Sequence, residues 1–314
     1  MIKISNILVP VDFSDHSKDA VKAALRLKDD FGAALTLLHV FDVTELLGMG
    51  WTVYGEALEG EAVQRMEEDS NRALDEFVKE LEINQDDIDL IVARGKPFIE
   101  IIQIAKREKS DLIVMGTHGR KGIELVLMGS NAEKVVRKAP CSVMTLRHEK
   151  GKSPQPFPAK KILVPTDFSL TSERAMTMAV EVAAKYNSKI VLLHVFSDFK
   201  VEDALQWTSY INTPKTEIEM REEIIKRSYD ELESFMAKFP VGDVKIEPRV
   251  VEDHPHKGIL SVAEDDDIDL VVMGTHGRTG VSHLLMGSTA EKVVRTNSCP
   301  VLTVKPRNYV FEMP

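Results

Sequence analysis

Almost every distinctive phrase in this chain occurs twice, at a nearly constant spacing. Pro10-Val11-Asp12-Phe13-Ser14 returns as Pro165-Thr166-Asp167-Phe168-Ser169, and Leu37-Leu38-His39-Val40 returns as Leu192-Leu193-His194-Val195, both 155 positions later. The stretch Met115-Gly116-Thr117-His118-Gly119-Arg120 returns as Met273–Arg278, and Gly129-Ser130 as Gly287-Ser288, now 158 positions apart. A net three residues therefore entered between these landmarks. The chain is a duplication, and each half is long enough to bury an ordinary core. The reading places a first domain at 1–147, a linker at 148–159, a second domain at 160–306 and a tail at 307–314. The linker is polar and carries Pro154, Pro156 and Pro158, as an extended connection does.

Each half alternates short β-branched runs with amphipathic stretches. In the first, strands are expected at Ile7–Val11, Leu35–Val40, Ile88–Ala93, Asp111–Met115 and Ser142–Leu146. Helices are expected at Ser17–Phe31, Glu61–Leu81, from Pro97 onward and at Ser130–Arg137. Near-continuous apolar strands separated by helices make a parallel sheet covered on both faces. The expected fold is α/β, two tandem doubly wound, Rossmann-like domains. Ligands of such sheets bind beyond the carboxyl ends of the strands, where the strand order reverses. Asp12 follows the first strand and Gly116 the fourth, so the two share a crevice if those strands are neighbours.

The spaced glycines, Gly116-x-x-Gly119 then nine residues then Gly129-Ser130, with Gly274, Gly277, Gly287 and Ser288 in the second copy, suit a phosphate cradle. Glycine lets backbone N–H groups approach an anion, and a helix starting at Ser130 adds its positive end. Two readings of the serines stand side by side. Ser130-x-x-Glu133 and Ser288-x-x-Glu291 have the spacing of capping boxes, or the serines contact phosphate, and the two are compatible. This is no Walker loop, because no Lys-Ser/Thr pair follows the glycines; Gly151-Lys152-Ser153 lies in the linker without the leading glycine. Asp12 and Asp167 either accept from a ribose hydroxyl or an adenine amine, or tie their own turn, ahead of the helix caps Ser14 and Ser169. Val40 and Val195 offer backbone groups to a base edge while their side chains belong to the core.

Taken in order and twice, these motifs resemble the universal stress protein family in its tandem two-domain form, over nearly the whole chain. In the ATP-binding members the glycine motif holds ribose and phosphates, and the aspartate after strand one contacts the nucleoside. The resemblance implies one site with Asp12, Gly116, Gly119, Gly129 and Ser130, flanked by Pro10, Val11, Val40, Met115, His118, Arg120 and Asn131. It implies a second with Asp167, Gly274, Gly277, Gly287 and Ser288, flanked by Pro165, Thr166, Val195, Met273, His276, Arg278 and Thr289. The ligand implied is ATP, or AMP or ADP, with Mg²⁺. Pairing of the halves through Val143–Leu146 and Val301–Val304 as an internal pseudo-dimer is implied too, and a homodimer is compatible with it.

The halves differ after the third strand, where Arg94-Gly95-Lys96-Pro97 stands against Glu252-Asp253-His254-Pro255-His256. An acidic loop near phosphates weakens their binding unless a metal intervenes, so the first site is expected to be the tighter. His254 and His256 are the candidate metal ligands, with Asp253 as a third, although the set is incomplete. His118 and His276 have no serine or cysteine nucleophile with an orienting acid beside them and are expected to pack the loop; His39 and His194 read as satisfied core histidines. Cys141 and Cys299 read as reduced core thiols of equivalent strands. Trp51 and Trp207, in the variable segments Asp42–Gln85 and Ser197–Gly242, mark lids, partner surfaces or anchored solvated helices.

A net charge of −10 disfavours nucleic acid, and with 43% hydrophobic residues there is no apolar run long enough for a bilayer. Asn6 and Asp12 interrupt any signal-peptide layout, so a cytoplasmic location is expected. The leading expectation is an ATP-binding stress-response sensor or regulator with an unidentified protein partner. A slow ATPase or self-phosphorylating protein and a nucleotide-independent, chaperone-like interaction protein are the alternatives.

Overall fold

The computed structural model describes residues 4–43, 55–117, 128–147, 159–197, 216–277 and 286–306. Among them the chain forms two compact units, residues 4–147 and 159–306. His118, Gly119, Arg120, Arg278, Trp51, Trp207, Gly151-Lys152-Ser153, residues 148–158 of the linker and the tail lie outside the described residues. Ala159, the last residue of the expected linker, is buried, and its carbonyl accepts from the Ser188 hydroxyl at 2.6 Å.

The first unit runs β1 (Asn6–Val11), α1 (Asp15–Phe31), β2 (Ala34–Phe41), α2 (Gly55–Glu80), a 3-10 turn (Gln85–Asp87) and β3 (Asp89–Arg94). It continues with α3 (Pro97–Arg107), β4 (Leu112–Gly116), α4 (Ser130–Lys138) and β5 (Ser142–Leu146). The second repeats it: β6 (Lys161–Pro165), α5 (Leu170–Tyr186), β7 (Lys189–Phe196), α6 (Glu217–Met236) and β8 (Ile246–Glu252). Then come α7 (Pro255–Asp265), β9 (Leu270–Gly274), α8 (Ser288–Thr296) and β10 (Val301–Val304). The strand orders are β3-β2-β1-β4-β5 and β8-β7-β6-β9-β10, every pair within a unit parallel. The adjacency on which the site inference depends is therefore real. β1 lies beside β4 with Ile7 opposite Leu112, and β6 beside β9 with Ile162 opposite Leu270.

Local chemistry sets each element. Ser14 caps α1 by accepting from Ser17 N, and the helix stops at Gly32, whose φ of 64° is the left-handed conformation that glycine, and next to it asparagine, adopts most easily. Ser169 and Asn187 bound α5 in the same way. Leu8, Val9, Leu37, Leu38, Ile113 and Val114 are fully buried, as strands sandwiched between helices must be. At the far end of each sheet an aspartate clamps two neighbouring strands: Asp111 Oδ2 accepts from Ser5 N and Asn6 N, and Asp269 Oδ2 from Lys160 N and Lys161 N.

Three expectations change. The capping boxes do not form. α4 and α8 begin one residue earlier than that spacing requires, so Gly129 and Gly287 occupy the cap position and Ser130 and Ser288 open the first turn. Cys141 and Cys299 lie in the segments just before β5 and β10, not in the strands. Val40 and Val195 are only partly buried, because β1 ends at Val11 and β6 at Pro165, which leaves each without a strand neighbour on that side.

Candidate functional site

The second unit opens a cavity of about 350 Å³ at the carboxyl ends of β6, β7 and β9, within the usual size of a small-molecule site. Pro165, Thr166, Asp167, Val195, Met273, Gly274, His276, Gly277, Gly287, Ser288 and Thr289, all singled out from the sequence, line it together. Leu193, His194, Ser172, Pro255, Ile259, Thr275 and Ala290 complete the wall. In the first unit the described counterparts Pro10, Val11, Asp12, Val40, Met115, Gly116, Gly129, Ser130 and Asn131 occupy the same fold positions.

The aspartate is held rigidly. Directly after it, Phe168 has φ 63° and Phe13 φ 66°, a left-handed conformation that costs a side-chain-bearing residue about 1–3 kcal/mol. The rings offset that cost: Phe13 stacks on His39 at 4.3 Å and meets Phe77 edge-on at 5.4 Å, and Phe168 packs likewise on His194 and Phe235. His39 Nδ1 donates to the Val11 carbonyl at 2.9 Å and His194 Nδ1 to Thr166 at 3.0 Å, which fixes one tautomer in each ring. These histidines are satisfied, as expected, and they serve as platforms for the turn.

The turn aims the carboxylate. Asp167 Oδ1 accepts from Ser172 Oγ at 2.5 Å and from Ser169 N at 3.1 Å, while Oδ2 faces the glycine loop. A Cβ on Gly277 would sit 2.6 Å from that Oδ2, so glycine is what lets loop and carboxylate share one wall. Asp12 repeats the pattern, with Oδ1 accepting from Ser14 Oγ at 2.6 Å and from Ser17 Oγ. Ser17 and Ser172 escaped the sequence reading, although each recurs 155 positions from the other; nothing short of the folded turn shows that they face the carboxylate.

The glycines have unequal duties. Gly116 and Gly274 exist for packing, since a Cβ there would lie 2.7 Å from His16 Cβ and 2.8 Å from Thr171 Cγ2 on the overlying helix. Gly287 is different: its added Cβ would approach the Thr275 carbonyl only to 3.4 Å, an ordinary contact. It caps α8 with no side-chain hydrogen bond, and the first-turn N–H groups of that helix open onto the cavity wall.

The opposite wall offers a backbone edge. Thr166 N donates to the Leu193 carbonyl and Asp253 N to the Phe196 carbonyl. Alternation along a parallel strand then directs the N–H and C=O of Val195 to the β6 side, past the end of β6 and toward the cavity. Val40 stands in the same register at the end of β2, since Gly95 N donates to the Phe41 carbonyl.

The loop after β8 reaches the site through α7, whose Pro255 and Ile259 line it. Glu252 is ion-paired with Arg221 at 3.4 Å, and Asp253 Oδ1 accepts from His254 N at 2.6 Å. Much of the acidity seen in the sequence is thus engaged locally. His254 caps α7, and among the described residues no group of three His, Cys, Asp or Glu side chains is placed to hold a metal ion. Burial, then Lys292, holds the His256 imidazole below its ordinary value, with His254 and Lys257 acting the same way and Asp253 against them. No helix among the described residues is long and apolar enough to cross a membrane.

The universal stress protein family model matches residues 3–147 and again 158–305. A universal stress protein of Methanocaldococcus jannaschii is 30% identical over 156 residues, which cover 48% of this chain and 96% of that protein. One from Mycobacterium tuberculosis is 31% identical over 194 residues, 62% of this chain and 61% of its own. The crystal structure of a universal stress protein from Archaeoglobus fulgidus superposes with a TM-score of 0.65 at 22% identity, covering 98% of both chains, and at that identity the likeness speaks for the fold. With its fold, its repeat and both matches in agreement, the chain belongs to the universal stress protein family and carries that family's domain twice in tandem.

Proposed function

We propose that each half binds one adenine nucleotide, ATP in the first place, and that the protein is a cytoplasmic stress-response regulator that binds nucleotide and does not turn it over efficiently. The observation that carries this reading is the convergence, in one cavity, of the Asp167 carboxylate with the N-terminus of α8. An acceptor opposite an anion-binding helix end suits a ligand with hydroxyls at one end and phosphates at the other. Between them, Leu193, Val195, Ile259 and Met273 give an apolar slot for a base. The Val195 backbone offers the donor and acceptor pair that the amine and ring nitrogen of adenine complement.

Binding without efficient turnover is part of the same proposal. His276 Nδ1 lies 2.8 Å from Thr275 Oγ1, a hydroxyl beside an imidazole; that hydroxyl is fully buried and donates to the Val304 carbonyl at 3.4 Å, which supports its accepting from the ring and orienting the loop. Magnesium would enter on the phosphates, because the described residues provide no carboxylate cage for it.

Thermal unfolding in the presence of ligands tests the reading. ATP at a hundred times its dissociation constant stabilises the folded state by about 2.7 kcal/mol for each occupied site, whereas adenosine and tripolyphosphate, each holding half of the contacts, give less at equal concentration. Stabilisation by tripolyphosphate equal to that by ATP would reduce the site to a generic anion cradle.

A further inference from the structure

We propose that Glu100 in the first half and Asp253 in the second select the base, each accepting a hydrogen bond from the exocyclic amine of an adenine and disfavouring 6-oxo purines. The inference rests on the nucleotide reading above and adds which residues set the choice of base.

The observation is a reciprocal exchange. Matched through Pro97 and Pro255, which open α3 and α7, Gly95 corresponds to Asp253 and Glu100 corresponds to Gly258. Each half has one acid and one glycine at these two positions, in opposite order. In the first half the acid comes from the helix and lies over the strand exit. A Cβ on Gly95 would be 2.6 Å from Glu100 Oε1, and its φ of 149° favours glycine as well. In the second half the acid comes from the strand exit, and the helix position is emptied. A Cβ on Gly258 would stand 2.9 Å from Val195 Cγ1 and 3.5 Å from Asp253 Cβ. The two arrangements put one carboxylate into the same gap by different routes.

That gap adjoins the backbone edge offered to the base. Gly258 lies between Pro255 and Ile259 in sequence and packs on Val195, and those three residues line the cavity. Gly95 N and Asp253 N hold the strand exits against Phe41 and Phe196, one residue beyond Val40 and Val195. A base whose edge meets the Val195 backbone turns one amine hydrogen toward that carbonyl and the other outward, toward the carboxylate. A 6-oxo base presents an oxygen there instead, and two acceptors face each other.

A helix-end role alone fits less well. Neither α3 nor α7 has a side-chain cap at its N-terminus, and Asp253 takes the N–H of the capping residue itself. Among the described residues the half-buried Glu100 carboxylate makes no hydrogen bond or ion pair. A carboxylate so placed has acceptor capacity to give to a ligand.

The test compares ATP with ITP, its 6-oxo analogue, on the full chain by calorimetric titration. The wild type is expected to favour ATP by about tenfold or more, the scale on which a site built around a hydrogen bond rejects an analogue that cannot make it. In the double variant Glu100→Gln with Asp253→Asn the preference falls to within about threefold, because an amide both accepts and donates. Asp253→Gly with Gly258→Glu, which builds the first half's arrangement into the second, keeps the preference of the wild type. An unchanged ATP-to-ITP ratio in the amide variant overturns the proposal, and so does a wild type without preference. A carboxylate that served only the helix end would lower the unfolding midpoint of the amide variant and leave the ratio alone. Failure of the wild type to bind either nucleotide would overturn the nucleotide reading itself, a result distinct from ATP binding with an unmoved ratio.

Discussion

Replacing Gly287 with alanine separates ligand binding from folding. The added methyl meets the Thr275 carbonyl at 3.4 Å and His276 Cα at 4.0 Å, so the ligand-free fold accommodates it. The backbone there has φ −61°, which alanine adopts freely. The cost to the fold is the poorer capping residue, about 0.5–1 kcal/mol. The methyl nevertheless occupies the wall where the proposed site has phosphates meet the Ser288 and Thr289 N–H groups. Losing one hydrogen bond to a charged group costs about 1.5–3 kcal/mol, which is about ten- to a hundredfold in affinity. Gly274→Ala is the counterpart. Its methyl lies 2.8 Å from Thr171 Cγ2 and 3.2 Å from the Thr171 carbonyl carbon, so it forces helix from strand and costs about 1–3 kcal/mol of stability. Calorimetric titration with ATP near the wild-type dissociation constant, paired with urea denaturation, reads both. The expected pattern for Gly287→Ala is near-normal stability with the stoichiometry falling from two nucleotides per chain to one. Wild-type stoichiometry and affinity in Gly287→Ala would refute the assignment of the phosphates to the start of α8.

Other outcomes follow from the same geometry. Ser172→Ala removes a 2.5 Å hydrogen bond that orients Asp167, so nucleotide affinity at the second site should drop about tenfold; Ser172→Thr, which keeps the hydroxyl, restores it, and equal loss in both variants would point to packing instead. The first site, with Arg94 and Lys96 where the second has Glu252 and His254, should bind ATP more tightly when each is measured in a chain whose other site is disabled, and equal affinities would contradict this. Acidification should narrow that gap, because protonating His256, whose imidazole is held low by burial and Lys292, adds positive charge at the second site where the first has Phe98; a gap independent of pH counts against it. Burial pushes the Cys299 thiol up to about 11, so alkylation in the folded protein should be far slower there than at the half-buried Cys141. The same shift makes the folded state hold its proton where the unfolded chain has lost it, so this contribution is complete below about pH 9 and fades toward pH 11, by about 2–3 kcal/mol. A Cys299→Ala variant should lack that fall in urea stability.

The sequence carried the architecture because the repeat doubled every signal, and the apolar strands and helix-starting prolines said where each element lay. The meeting of Asp167 with Gly287 was legible only through the topological rule for parallel sheets, which the β6–β9 pairing satisfies. What stayed hidden depends on distances of a few ångströms. Ser130 has the spacing of a cap, yet the helix starts one residue sooner. Gly274 and Gly287 look alike in sequence, yet one faces a helix and the other a cavity. Ser172, Pro255 and Ile259 join the site from elements whose packing no local pattern announces. The acid and glycine exchange between Gly95–Glu100 and Asp253–Gly258 is visible in the aligned halves only once the close approach of the two positions is known.

The central claim is that each half holds a nucleotide between the strand-one aspartate and a helix N-terminus. Equilibrium dialysis of the ligand-stripped chain against ATP and Mg²⁺ tests it most directly. The account predicts saturation at two nucleotides per chain, with loss of one when Asp167 is replaced by alanine. No retained nucleotide at millimolar ATP, in a protein shown to be folded, would contradict it.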